Sequence, residues 1–250
     1  MTKSLTALAL AALAALPAHA ALTAGDIAFT SFNADEKGWS FVTFVDIAAN
    51  TTIYFSDNEW QGSAFNTGEG YQSWNSGTST IAAGTVIRFS SIQNSGRTAS
   101  VGTLSTVSIP GNSGGIDLSS SGDGLYAFIG SAASPSTFLA AITNTSFNTA
   151  ATGVLTGTAL TTSAFELGVS SGSDWAQYTG ARTGQTTMAG YKALVADKAN
   201  WTINGDGSFA TEVPTTTAFV ATPVPEPQTY ALMLGGLGLV GWMARRRKAA

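Results

Sequence analysis

Apolar and polar positions alternate along most of the chain between residues 27 and 203, and a period of two is the mark of strands with one buried face. Ile27, Phe29 and Ser31 alternate with Ala28 and Thr30. After the turn-forming run Asn33-Ala34-Asp35-Glu36-Lys37-Gly38 a second strand carries Trp39, Phe41, Val45 and Ile47 on one face, so a hairpin joins the two. The next segment, Ala48-Ala49-Asn50-Thr51-Thr52-Ile53-Tyr54-Phe55-Ser56, is echoed 34 residues later by Ala82-Ala83-Gly84-Thr85-Val86-Ile87-Arg88-Phe89-Ser90. Both read as a turn feeding a strand whose Ile and Phe point inward. Asn50 and Gly84 hold the equivalent place, and these are residue types that tolerate positive φ. Further strands are predicted at Leu125–Gly130, Thr137–Ile142, Val154-Leu155, Ala164–Val169 and from Trp201. Met188, Tyr191, Leu194 and Val195 recur at helical spacing, which predicts the exported part's one helix over Thr186–Lys198, stopped at Asn200.

The two ends follow other patterns. Lys3 precedes an apolar segment from Leu5 to Leu16, and Ala18-His19-Ala20 has the small-x-small form of a secretory cleavage site, so residues 1–20 read as a signal peptide cut after Ala20. At the other end a Pro/Thr-rich stretch, 211–223, reads as an extended spacer. Beyond it, Tyr230 to Ala244 carry no charge and are followed by Arg245-Arg246-Arg247-Lys248. As a helix that run is about 22 Å long, short of the roughly 30 Å hydrocarbon core, so spanning is marginal. Tyr230 and Trp242 suit the two interfaces, and the four cations should stay cytoplasmic, leaving the main domain outside.

Removing both ends takes five of the 11 basic residues and one of the 15 acidic ones, so the exported part is near −8. Such a surface lacks the concentrated basic patch that nucleic acid or anionic lipid requires. The chain has no Cys, and its single His, His19, lies in the signal peptide. Ser-His-Asp and Cys-His catalysis, Cys/His zinc sites, haem ligation by His and disulfides are therefore excluded from the mature domain. About 200 residues still suffice for a core without disulfides.

What chemistry remains rests on oxygen donors and aromatic rings. Asp57, Glu59, Asp123 and Asp206 are calcium candidates by donor type, but no segment follows the EF-hand loop and the same residues are ordinary turn formers. No other cofactor is expected. Trp60, Tyr71 and Trp74, like Trp175 and Tyr178, lie in polar, Gly-rich surroundings where exposed rings could stack on sugar faces, with core packing as the competing role. Glu59 and Glu69 form a carboxylate pair of the kind a glycosidase uses.

The order Pro225-Glu226-Pro227, an aromatic, a Leu/Gly-rich run and the basic cluster resembles the PEP-CTERM sorting signal of Gram-negative bacteria that make exopolysaccharide. That resemblance implies export through the inner membrane, with signal peptidase acting at the first end. It further implies transient anchoring by residues 230–244 and processing near Pro-Glu-Pro by the membrane protease exosortase, then release to the surface or matrix. Pro225, Glu226, Pro227, Arg245, Arg246 and Arg247 are its signal residues. Gly25-Asp26-Ile27-Ala28, the Phe41–Ile47 strand, Ile53–Trp60, Ala83-Gly84-Thr85-Val86 and Leu118–Ile129 resemble a lamin tail domain, an immunoglobulin-like β-sandwich, over about 22–145; a Gly/Ser/Asn insertion at 61–80 departs from it. The expected chain is thus a leader (1–20), a mainly β exported domain (21–210, core 22–145 with an extension 146–210), a spacer (211–223) and a sorting tail (224–248). The expected role is non-catalytic, in an exopolysaccharide matrix or biofilm, with a carboxylate-based polysaccharide hydrolase as the alternative.

Overall fold

The computed structural model describes residues 21–93, 95–161, 163–169, 173–222 and 227–247. The leader, with Ala18 and Ala20, and Pro225, Glu226 and Lys248 of the tail lie outside the described residues.

The chain is mainly β, and its strands form two six-stranded sheets. The first has the order β12 (Trp201–Asn204), β11 (Trp175–Tyr178), β1 (Ile27–Asn33), β2 (Gly38–Thr43), β5 (Val86–Ser90), β6 (Thr98–Ala99). The second has β10 (Ala164–Glu166), β9 (Ser134–Thr143), β8 (Gly124–Ser131), β3 (Thr52–Ser56), β4 (Tyr71–Asn75), β7 (Thr103–Thr106). All these pairings are antiparallel except β9 with β10. The two echoed segments become β3 and β5, one in each sheet. Asn50 and Gly84 take positive φ, 59° and 87°, and Ile53, Phe55, Ile87 and Phe89 are all fully buried. One local turn thus starts a strand on each side of the core.

Between the sheets, Trp39, Phe41 and Phe89 of the first meet Phe55 and Trp74 of the second, with ring centroids 5.2 to 6.2 Å apart. The expected hairpin forms, but β2 ends at Thr43, and Ile47 instead makes a bridge to Ile81. Simple alternation also fails in β1 and β2, where Thr30, Ser31 and Ser40 are as buried as the rings. Their hydroxyls satisfy one another, Thr30 and Ser31 each lying 2.8 Å from the Ser40 oxygen. A sheet buried on both faces loses its polar positions, and here both sheets are covered outside.

The cover of the first sheet is the Pro/Thr-rich segment, which is extended, as expected, yet lies on the domain instead of hanging free. Asn33 donates to the Phe209 and Glu212 carbonyls, Thr215 N–H donates to Gln177, Phe219 N–H to Gly84, Val220 N–H to Arg182 and Thr222 N–H to Gln185. Phe219 is buried against Tyr178 and Tyr191. The cover of the second sheet is the Gly/Ser/Asn insertion together with residues 147–160. A second apolar cluster of Trp60, Tyr71, Tyr126, Phe128, Phe138 and Phe147 forms there, with Phe65 packed into it. The insertion itself contains strand β4, and residues 164–204 supply β10, β11 and β12, so the expected extension completes both sheets.

The predicted helix is α1 (Met188–Ala196), started by Thr187, whose side chain accepts the Gly190 N–H, and followed by a 3₁₀ turn at Lys198–Asn200. It turns Tyr191 and Val195 onto the core. Among the described residues, every buried member of the two apolar clusters falls between Leu22 and Phe219, so the core described lies within 21–222. The tail forms α2 (Pro227–Arg247), longer than the predicted 230–244. Among the described residues no helix is long and apolar enough to cross a membrane. The physical reason is that glycines and the terminal arginines occupy much of its length, and the uncharged run alone falls short of a hydrocarbon core.

Candidate functional site

The carboxylates gather where the β3–β4 loop and the β7–β8 loop meet. Ser56 ends β3 with its hydroxyl donating to the Gly70 carbonyl, 2.9 Å. Asp57, next in line, is turned inward: one carboxylate oxygen accepts the Gly70 N–H at 2.7 Å and the other the Asp117 N–H at 2.7 Å. Asn58 accepts the Glu69 N–H and donates to Ser56. Gly70 is required here, because a Cβ at this position would stand 2.1 Å from the Gly115 backbone. Asp123, at the entry to β8, accepts the Ser119 N–H at 2.6 Å, while Asn144 holds the Asp123 N–H and donates to the Ser119 carbonyl. Lys37 pairs with Asp117 at 2.9 Å and donates to the Leu118 carbonyl at 2.6 Å.

These groups repel one another. Burial pushes the Asp57 carboxyl up to about 6, against the backbone N–H groups of Asp117 and Gly70 that favour its charge. Burial pushes Glu69 up to about 8, with Asp57, Glu59 and Asp117 adding repulsion. Asp123, 3% exposed, is raised well above the usual carboxylate range by burial and then by Asp57. One oxygen each of Glu69 and Asp123 is buried without a hydrogen-bond partner. A protonated carboxyl is the low-cost state of such a group.

A pH dependence follows. Folded-state values lie above the ordinary 3.8 and 4.5, so the unfolded chain ionises first as pH rises. The stabilisation is complete below about 4 and is lost as pH rises to about 8. Thermal melts should give a higher midpoint near pH 4.5 than near pH 8.5, and Asp123→Asn, which keeps the acceptor for Ser119, should flatten the slope. A midpoint that rises across this window would refute the account.

The residues singled out for function are distributed differently from expectation. Trp60, Tyr71 and Trp74 are 6%, 2% and 0% exposed, so none offers a face to a sugar. The indole N–H groups of Trp60 and Trp74 donate to the Thr156 and Val101 carbonyls, both at 2.8 Å. Trp175 and Tyr178 are buried as well. Glu59 is bonded to Asn66 through both backbone and side chain. Of the calcium candidates, Asp57 and Glu59 adjoin the cluster, whereas Asp206 is exposed after β12, an edge strand of the other sheet. Among the described residues no three acidic side chains stand close enough together to hold a metal ion. Asp117, Lys37 and Asn144 escaped sequence reading because Gly-Gly-Ile-Asp resembles any turn, whereas Asp123 is one of the calcium candidates.

The sorting signal is set close to this domain. Thr222 N–H still donates to the Gln185 carbonyl of the folded body, and α2 begins at Pro227. Residues 223–248 match the family described as the PEP-CTERM protein-sorting motif. No curated protein and no solved structure matches the chain. The chain therefore carries the signal of an exported protein that exosortase sorts and processes.

Proposed function

We propose that this is a non-catalytic, lamin-tail-like β-sandwich of the envelope or extracellular matrix, held in the inner membrane by α2 until exosortase processes it near Pro225-Glu226-Pro227. The observation that carries the reading is the motif at 223–248, which follows directly on the segment that closes the domain. Leu232, Leu234, Leu237, Leu239 and Val240 are 60 to 77% exposed and so are available to lipid. At about 31 Å the whole helix approaches the hydrocarbon thickness only by including its arginines, which suits a temporary anchor with cationic ends at the interface.

The non-catalytic part is supported by how the carboxylates are used. Asp57 spends both oxygens on backbone N–H groups and Glu59 is tied to Asn66, so neither faces a substrate as the partner of Glu69. A polysaccharide hydrolase would need two such groups across a cleft. The association with exopolysaccharide is carried by the sorting motif, since the rings that would stack on sugars are buried.

The anchor is tested by replacing Arg245, Arg246, Arg247 and Lys248 with Gln. This removes the charge asymmetry that fixes orientation. Membrane fractionation should show most of the protein lost from the inner membrane in a host without exosortase. An unchanged membrane fraction would count against the reading.

A further inference from the structure

α1 points Tyr191 and Val195 inward, and its other stripe is Ala189, Lys192, Ala193 and Ala196, all exposed. A helix face in water ordinarily carries long polar side chains. Here three alanines and one lysine leave open a cleft of about 340 Å³ between the helix and the sheets. Phe29, Phe44 and Phe165 wall it, and Gly25 and Ala141 leave room on the far side. None of the acidic cluster lines it.

Among the described residues Lys192 is the one cation on this lining. Its ammonium lies 3.9 Å from Asp26 and 5.6 Å from the Phe44 ring centroid, and its side chain is 42% exposed. Asp26 is satisfied without it, because its other oxygen accepts the Thr23 N–H at 2.8 Å and hydroxyl at 2.9 Å. A long, half-exposed pair of this kind contributes little, so the ammonium is free to turn to an incoming anion. The volume is at the small end of ligand sites, which run from about 300 to 1,000 Å³. It accommodates one chain or ring and excludes a two-chain lipid.

We propose that this cleft binds a single-chain carboxylate of the fatty-acid class, its apolar body between the three phenylalanines and α1 and its carboxylate on Lys192. Trp201, stacked on Phe165 at 4.3 Å, provides an internal reporter. The test is titration of decanoate and of decanol into residues 21–222, followed by Trp fluorescence and calorimetry. Decanoate should bind saturably at one site. Lys192→Met should weaken decanoate by about tenfold, the value of a charge-assisted hydrogen bond, and leave decanol unchanged. Ala193→Trp, on the exposed stripe, should abolish binding of both at an unaltered melting midpoint, and Ala189→Phe serves as a second filler. Absence of saturable decanoate binding, binding that survives both fillers, or a Lys192→Met protein with undiminished decanoate affinity would overturn the proposal.

Discussion

Replacing Trp74 by alanine is expected to destabilise residues 21–222 by about 3–5 kcal/mol, the range for deleting a large buried aromatic. The side chain is fully buried and meets Phe41 edge-on at 5.6 Å and Phe89 at 6.2 Å, so it closes the gap between the sheets. Its loss also leaves the Val101 carbonyl without the indole N–H. Neighbouring backbone cannot collapse into the space, because Trp74 is held in register between Ile53 of β3 and Leu104 of β7. For a domain of about this size the melting midpoint should fall on the order of 10 °C. A variant that keeps the parent midpoint while losing affinity for polysaccharide would mean that the ring is an exposed platform and that the sheets are assigned the wrong faces.

The fate of these rings shows where sequence reading holds and where it stops. The turn used twice was legible because its cause is local: a position needing positive φ selects Asn50 and Gly84, and the Ile and Phe that follow keep strand period. The tail was legible because its parts are consecutive. Trp60 and Trp74 were harder, since their sequence neighbours are Ser, Gly and Asn while their spatial neighbours are Phe65, Phe138, Phe41 and Phe89. The acidic cluster draws on Asp57, Glu69, Asp117 and Asp123, residues at separate places on two loops, and no spacing rule joins them. The same holds for the closing segment, 209–222. Apart from the buried Phe219 ring, its attachment runs through backbone groups, which every residue carries and which composition therefore does not reveal.

The largest effect on fate in the cell is expected from Glu226→Ala. The carboxylate lies in the Pro225-Glu226-Pro227 element of the sorting motif and outside the apolar run, so its removal leaves the hydrophobic and charge terms of insertion untouched. The variant should remain in the membrane fraction at the parent level yet stay unprocessed in a host that has exosortase. This is the opposite of the four-cation replacement, which weakens anchoring first. Processing of the variant at the parent rate would remove the motif from the mechanism. Glu226 lies four residues beyond Thr222, which is bonded to the folded body, and a defect in folding would be detected independently as a lowered melting midpoint.

Mass spectrometry of the intact protein recovered from an exosortase-containing host tests the account most directly. Export and sorting predict an N-terminus at Ala21 and a C-terminus near Pro227, with the segment containing Trp242 absent. Recovery of a chain that runs on through Arg247 to Ala250 in that host would show α2 to be a permanent part of the protein, and the sorting account would be wrong.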